Sequence, residues 1–186
     1  MELNLRQIVN ELSFGDAQNA MKLLYMHYYP KLLLFVSYYI KSKHEAEDIV
    51  SDSFFSIWEQ RGKLFKVQNI NTYVYAIAKN TTFDFMKKKE KAKKHIQYDI
   101  SETEYLVKSQ STPESDFIKE ELIDRLDEAI ESLPLKNKIA FKLIREQRLK
   151  YKEAAEIMEI SVKTLEAHIT AAVKRLEKIL DEEINL

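Results

Sequence analysis

Near the end of the chain, polar and basic side chains recur along one face of a predicted helix. The segment is YKEAAEIMEISVKTLEAHITAAVKRLEKIL, residues 151–180. In its second half, apolar residues at steps of three and four predict one buried stripe. That stripe contains Leu165, Ile169, Ala172, Val173, Leu176 and Ile179. The opposite face holds Lys163, Glu166, Ala167, Thr170, Lys174 and Lys178. Small, polar and basic side chains of this kind suit hydrogen bonding to base edges and phosphates in a major groove.

A short helix and a tight turn precede that face. Ala154 and Ala155 are small enough to let two helices cross closely, and Met158 and Ile160 flank the turn. Ser161 is placed to cap the second helix. The segment therefore predicts a DNA-reading helix-turn-helix. A generic helical hairpin with a solvated face is the alternative, and the short first helix and the sparse charge at the start of the second favour the helix-turn-helix.

A second set of basic side chains alternates with aromatic ones on a predicted helix over residues 72–89. Its apolar face holds Val74, Ile77, Ala78, Thr81 and Phe85. Its other face holds Tyr75, Lys79, Asn80, Phe83, Lys87 and Lys88, and further lysines follow as far as Lys94. Because lysines neutralise phosphates and an aromatic ring can stack on an unpaired base, this face fits single-stranded or opened nucleic acid. A solubilising helix end, with lysines at the negative end of the helix dipole, explains the pattern equally well.

The segment EAEDIVSDSFFSIWEQ carries an acidic edge. Asp48, Ser51 and Asp52 share one side of the predicted helix. The rest of its circumference holds Ile49, Phe54, Phe55, Ile57 and Trp58. An acidic edge over an aromatic core fits docking onto a basic partner helix, whereas an ordinary solvated edge has the same composition.

Other chemistry finds no support in the sequence. The four histidines are far apart, cysteine is absent, and no glycine-rich loop could cradle a phosphate. We therefore expect no enzymatic activity, no metal and no cofactor. The N-terminal segment lacks a long apolar run, so it predicts neither a signal peptide nor a membrane span, and a cytoplasmic location fits the missing cysteines.

The composition predicts the fold class and the domains that carry these candidate binding residues. Hydrophobic residues make up 45% of the 186, and only two glycines and three prolines interrupt them, which indicates an all-α protein with few turns. Apolar periodicity fails in HIQYDISETEYLVKSQSTPES, which is rich in polar and acidic residues. We predict two helical domains, residues 1–94 and 116–186, joined by a flexible linker over residues 95–115. One continuous domain with a long loop is the alternative, and it is disfavoured because structureless loops of that length are uncommon inside compact domains.

Capping residues and a glycine predict where the helices begin and end. Ser42 with Glu45 predicts a capping box, and Gly62 is expected to end that helix in a left-handed conformation. Asn71 is expected to cap the basic-aromatic helix after a loop. Further helices are predicted over residues 16–40, with Leu23 among its inward residues, and over residues 116–131 and 135–147.

The order of the three segments resembles that of the extracytoplasmic-function (ECF) sigma factors of bacterial RNA polymerase. EAEDIVSDSFFSIWE is similar to the family's clamp-binding segment, and NTYVYAIAKNTTFDFMKKK to its promoter-melting helix. SLPLKNKIAF with YKEAAEIMEISVKTLEAHI resembles its second DNA-binding domain. The resemblance covers nearly the whole chain outside the linker. The TLEAHI string resembles the version common in Bacteroidetes members.

The resemblance implies three groups of binding residues. The polymerase clamp helices would be contacted by Asp48, Ser51 and Asp52. The minus ten element, melted to a single strand, would be held by Lys66, Gln68, Asn69, Asn71, Tyr75, Lys79, Asn80, Phe83, Lys87 and Lys88. The minus thirty-five duplex would be read by Ser161, Val162, Lys163, Thr164, Glu166, Ala167 and Thr170, with phosphate contacts from Lys174 and Lys178.

The implied partners are core RNA polymerase, through its clamp helices and flap, promoter DNA, and an anti-sigma factor that is often membrane-anchored. The chain departs from the family at Ser51 and Asp52, where the family often has Gln and Glu. It departs again at Glu159, where the family often has a turn glycine. If Glu159 is left-handed, that conformation costs roughly 1 kcal/mol of free energy. Two alternatives remain open from the sequence: a helix-turn-helix regulator that dimerises and has no sigma activity, and a helical adaptor that binds protein alone.

Overall fold

The secondary structure of the described residues is helical, with short turns between the helices. The structure is a computed structural model that describes residues 4–95 and 125–184, with side chains described for residues 4–92 and 125–179. In chain order the helices are α1 (Leu5–Phe14), α2 (Ala17–Ser37), α3 (Lys43–Glu59), a 3-10 helix (Arg61–Lys66), α4 (Ile70–His95), α5 (described over residues 125–131), α6 (Leu135–Arg145), α7 (Tyr151–Met158) and α8 (Val162–Ile184). The predicted all-α class is confirmed. Residues 96–124, which include most of the predicted linker and the start of the predicted helix 116–131, lie outside the described residues.

The first domain packs α1 to α4 around the aromatic helix α2. Tyr28, Leu32 and Phe35 of α2 are completely buried. They meet apolar residues of the neighbouring helices, among them Ile49 of α3 and Val74 of α4. This burial of large side chains stabilises the domain and fixes the outward faces of α3 and α4. Leu23, which was expected to face inward, is instead 38% exposed.

The helix boundaries follow the sequence signals only in part. Ser42 caps α3 by accepting a hydrogen bond from the Glu45 amide at 3.4 Å, which is one half of the predicted capping box, while the Glu45 carboxylate accepts from Lys89. The prediction for Gly62 is wrong, because α3 ends at Glu59 and no glycine of the described chain has a positive φ. Asn69 caps α4 by accepting from the Thr72 amide at 3.2 Å, so the expected cap at Asn71 is also wrong.

The second domain packs α5 to α8. Ala129 and Ile130 of α5 lie against Ala172 and Leu176 of α8 in a small apolar cluster. At the surface, the Glu131 carboxylate accepts hydrogen bonds from Lys138 at 2.9 Å and Lys142 at 2.8 Å. Burial raises the pKa of Glu131, but the two lysines outweigh it and hold that pKa below its usual range.

The two domains are packed against each other. Helix α4 of the first domain contacts α7 of the second. The buried apolar residues form one cluster across this contact, from Phe35 and Val74 in the first domain to Ile157 and Leu165 in the second. The domains therefore bury part of each other's surface, and α4, whose outer face is predicted to bind nucleic acid, takes part in that contact.

Candidate nucleic-acid interface

Helices α7 and α8 form the helix-turn-helix. Glu159, the first residue after α7, is left-handed with φ 56° and ψ 43°, the conformation in which a turn glycine would be least strained. The Ser161 side chain accepts a hydrogen bond from the Thr164 amide at 3.0 Å, which caps α8. The Ser161 cap matches the sequence prediction, and Glu159 adopts the left-handed conformation that the resemblance raised as a condition. They fix the angle at which α8 leaves the turn.

One face of α8 is open to solvent along its described length. Leu165, Ile169, Ala172 and Leu176 are buried, as the periodicity predicts. The exposed residues are Ser161, Val162, Lys163, Thr164, Glu166, Ala167, Thr170, Lys174 and Lys178. His168 lies at the edge of this face, where its Nδ1 is 2.8 Å from Asn137 Oδ1 of α6. The face presents the side chains that a major groove requires.

Helix α4 keeps only part of its predicted outer face exposed. Asn80, Phe83, Lys87 and Lys88 are exposed, as are Lys66 and Gln68 before the helix. Tyr75 and Lys79 are buried, with 1% and 8% of their surface exposed. The expectation that these two residues face solvent is therefore wrong for this arrangement of the domains. The Tyr75 ring packs edge-on against Phe35 of α2, with ring centroids 5.2 Å apart, and Lys79 is covered by its contact with Glu159 after α7.

Two asparagines at the start of α4 bind a carboxylate of α7. Glu153 Oε1 accepts hydrogen bonds from Asn69 Nδ2 at 2.9 Å and Asn71 Nδ2 at 3.2 Å. The other oxygen of Glu153 accepts from the Lys150 amide at 3.0 Å and caps α7. Burial raises the pKa of Glu153, but the hydrogen bonds from Asn69, the Lys150 amide and Asn71 outweigh it, so that pKa lies below its usual range. Asn71 Oδ1 also accepts a hydrogen bond from the buried Tyr28 hydroxyl.

An ion pair and a tyrosine network complete the contact. Lys79 Nζ lies 2.7 Å from Glu159 Oε1, and this contact lowers the pKa of Glu159. The Tyr75 hydroxyl donates to Gln147 Oε1 at 2.8 Å, and Gln147 Nε2 donates to the Tyr38 hydroxyl at 3.3 Å. Burial raises the pKa of Tyr75 and of Tyr38, so both hydroxyls stay protonated at neutral pH.

The acidic face of α3 is exposed to solvent. Asp48, Ser51 and Asp52 are exposed, at helical steps that place them side by side. Phe55, one turn further on, is 62% exposed, although its sequence context predicted a core position. Aromatic residues are enriched in protein–protein interfaces, so the exposed ring makes this face a candidate docking surface. The helical periodicity could not show that Phe55 is exposed, because Phe54 and Phe55 are adjacent and both continue an apolar stretch.

Other kinds of site find little support in the described residues. Within residues 4–95 and 125–184 there is no group of three or more histidine, aspartate or glutamate side chains that could hold a metal ion. None of the helices in those ranges is both long and apolar enough to cross a membrane.

Comparison with known proteins gives the same two domains. Residues 24–92 match the family model for sigma-70 region 2, and residues 123–176 match that for sigma-70 region 4. The chain is 28% identical to the ECF RNA polymerase sigma-E factor of Escherichia coli K12 over 181 residues, covering 95% of this chain and 94% of the relative. It is 23% identical to the RNA polymerase sigma-H factor of Pseudomonas aeruginosa over 180 residues, covering 94% and 93%.

Solved structures show the same fold. The sigma factor RpoE of Bartonella quintana, in complex with the anti-sigma factor NepR, has a TM-score of 0.67 at 19% identity, over 86% of this chain and 96% of that one. CnrH, in complex with the cytosolic domain of CnrY, has a TM-score of 0.66 at 17% identity, over 95% and 97%.

The fold and its exposed faces define a two-domain transcription factor with a helix-turn-helix at its C-terminal side. The matches to regions 2 and 4 show that the chain belongs to the sigma-70 family. Within that family it is an alternative sigma factor of the ECF class and directs transcription initiation. Sigma factors in general are not enzymes.

Proposed function

We propose that three surfaces divide the work of promoter-specific initiation. The exposed face of α3 binds core RNA polymerase, α4 with the segment before it holds the melted minus ten strand, and α8 reads the minus thirty-five duplex. The observation that carries this assignment is the exposed face of α8 behind a capped helix-turn-helix. That face holds hydrogen-bonding and basic side chains, while the opposite stripe is fully used in the core.

The polymerase surface consists of Asp48, Ser51, Asp52 and Phe55. Its two carboxylates would attract a basic partner, and Phe55 would supply apolar area that is exposed in the free protein. Ser51 has a short side chain, and its hydroxyl donates to the Glu47 carbonyl at 2.8 Å. We therefore assign most of the binding free energy to Asp52 and Phe55.

Different residues of the minus thirty-five surface would select the DNA sequence and strengthen binding. Glu166, Ala167 and Thr170 lie near the start of α8, where they would meet base edges. Lys174 and Lys178 lie further along and would contact phosphates. Contacts of the first kind select a sequence, whereas those of the second kind strengthen binding to every sequence.

The minus ten surface combines lysines with amide and aromatic side chains. Asn80, Phe83 and Lys87 are exposed and ready to contact a strand. The tyrosine and lysine that the second domain buries, together with Asn69 and Asn71, would join them once the domains separate. Stacking and phosphate contacts would then hold the strand open.

The partners follow from the same surfaces. Core polymerase would bind α3 through its clamp helices and the second domain through its flap, and promoter DNA would be bound both as duplex and as single strand. An anti-sigma factor is a further partner, since the similar structures of RpoE and CnrH each contain one. We place the chain in the cytoplasm, acting through binding with no catalysis of its own.

A charge reversal on α3 tests this assignment. Asp52→Lys should abolish co-elution with core polymerase and factor-dependent transcription while the thermal unfolding midpoint stays unchanged, because Asp52 is exposed. Asp127→Lys is the matched control, since it makes the same charge change at an exposed position of α5. Normal transcription by Asp52→Lys would refute the assignment of the polymerase surface.

A further inference from the structure

Two phenylalanine rings lie in contact on the surface of the first domain. Phe14 ends α1 and Phe65 lies in the 3-10 helix, with ring centroids 5.0 Å apart and ring planes tilted by 50°. Phe14 is 73% exposed and Phe65 is 45% exposed. Single exposed hydrophobic residues are common on protein surfaces, but two rings in contact offer contiguous apolar area that a partner can cover.

The backbone beneath the two rings is firmly packed. Leu12 of α1 and Leu64 of the 3-10 helix each have 1% of their surface exposed. The Ser13 hydroxyl donates a hydrogen bond to the Arg61 carbonyl at 2.9 Å, which ties α1 to the 3-10 helix. The two rings are therefore exposed on a fixed scaffold, which is what a preformed binding site requires.

The surroundings of Phe65 are basic. The 3-10 helix Arg61–Lys66 contains three cationic side chains and no acidic one. Lys66 Nζ lies 5.5 Å from the centroid of the Phe65 ring, and Lys63 is exposed. An anionic partner that also has an aromatic or apolar part would therefore be bound by both kinds of side chain.

Two acidic residues flank Phe14 in the sequence, and both are engaged by the backbone. The Glu11 carboxylate accepts a hydrogen bond from the Asp16 amide at 3.2 Å, and the Asp16 carboxylate accepts one from the Asn19 amide at 3.1 Å. These amides partly compensate the two negative charges. The lysines beside Phe65 thus dominate the attraction of a charged partner.

Single-stranded DNA has the chemistry that this surface fits. The π face of a base stacks on an aromatic ring, and the phosphate attached to the same nucleotide attracts a lysine. A base that stacks on one of the two tilted rings meets the other ring nearer to its edge, an arrangement that aromatic groups favour.

We propose that Phe14 and Phe65 form an aromatic platform that stacks one unpaired base of the promoter strand, outside the residues assigned to the minus ten element. The inference rests on the proposed minus ten surface, which it extends. Phe65 precedes Gln68 of that surface by three residues, which is at most about 11 Å along the backbone. A strand held at Gln68 therefore needs only a few further nucleotides to reach the rings.

Oligonucleotide binding by the full chain tests the platform. Because both rings are exposed in the free protein, the unaltered chain should bind a fluorescein-labelled oligothymidylate at low salt. Phe65→Ala should raise the dissociation constant, measured by anisotropy, about five- to tenfold, because it removes one base–ring stack. Failure of the unaltered chain to bind, or an unchanged dissociation constant for Phe65→Ala, would overturn the proposal.

Three further variants separate stacking from apolar contact. Phe65→Leu keeps apolar area without a ring, so it should bind as weakly as Phe65→Ala, whereas Phe65→Tyr should bind as tightly as the unaltered chain. Phe55→Ala removes a ring that is 62% exposed beside carboxylates, and it should leave the affinity for the oligothymidylate unchanged. Full affinity of Phe65→Leu, or an equal loss in Phe55→Ala, would contradict base stacking on the platform.

A photo-crosslink locates the base on the protein. With 5-iodouracil in place of one thymine, irradiation should crosslink the oligonucleotide to Phe14 or Phe65, and mass spectrometry of the digested chain identifies the peptide. Crosslinks confined to other aromatic residues would refute the platform. Failure of the unaltered chain to support transcription with core polymerase would instead refute the proposed function, so the two failures are distinguishable.

Discussion

Replacing Phe55 with alanine should separate polymerase binding from folding stability. Its ring is 62% exposed in the free protein. A phenylalanine buries about 200 Å² when fully covered, so about 120 Å² remains to be buried by a partner. At about 25 cal/mol per Å² this corresponds to at most about 3 kcal/mol. Alanine retains part of that area and association orders the ring, so we expect a dissociation constant about 10- to 100-fold higher.

The assay is a titration of labelled core polymerase with the purified chain, paired with urea unfolding of each variant. Since Phe55 is mostly exposed, its removal should change the free energy of unfolding by less than about 0.5 kcal/mol. Phe14→Ala is the matched control, because Phe14 is a 73% exposed phenylalanine on α1, outside the acidic face. It should leave the affinity for polymerase unchanged.

Two results would refute this reasoning. An unchanged dissociation constant for Phe55→Ala would remove the ring from the polymerase surface. An equal loss of affinity in Phe14→Ala would show that exposed aromatic area in general, and not the face formed by Asp48, Ser51, Asp52 and Phe55, governs binding.

Three further predictions concern helix α8, which we propose reads the minus thirty-five duplex, and the domain contact. Glu166→Ala should shift base preference by about 1–3 kcal/mol at one minus thirty-five base pair in a randomised selection, and an identical profile would remove Glu166 from the reading face. Lys174→Ala should weaken all promoters alike and lower the salt slope of binding by about 1, so a loss confined to one sequence would contradict a phosphate contact. Because the pKa of Glu153 is lowered, its stabilisation is present at neutral pH and lost as pH falls through the folded-state value. The difference in unfolding free energy between the unaltered protein and Glu153→Gln should therefore shrink in acid, and a pH-independent difference would contradict the assignment.

The helix-turn-helix could be predicted because its signals are local. Leu165, Ile169 and Leu176 recur with the helical period, and Ser161 lies immediately before the helix that it caps. In each case the residue and its partner lie within a few positions of each other. The left-handed conformation of Glu159 follows from no local signal, and only the glycine that the resemblance places at this turn position pointed to it.

Two predicted helix boundaries, the cap at Asn71 and the helix end at Gly62, were wrong for different reasons. Asn69 and Asn71 are both good helix caps, and only packing shows that Asn71 is engaged by Tyr28 and Glu153. Gly62 lies in the 3-10 helix that follows α3, where its freedom to adopt a positive φ is not used. A glycine near a helix end is a weak signal when a second helical segment follows at once.

The burial of Tyr75 and Lys79 had no signal in the sequence. Their partners, Gln147 and Glu159, lie in the other domain, and no periodicity links positions so far apart. The exposure of Phe55 could not be predicted for a related reason, since an apolar residue at the edge of a stripe is covered only if a neighbouring helix extends over it. The domain contact and the docking surface thus follow from tertiary packing.

The most direct test of the account is to map transcript starts from a genomic promoter library with core RNA polymerase, with and without the purified chain. The account predicts chain-dependent starts that share two sequence motifs at a fixed spacing, one for α4 and one for α8. The absence of chain-dependent starts, together with a failure to co-elute with core polymerase, would contradict it.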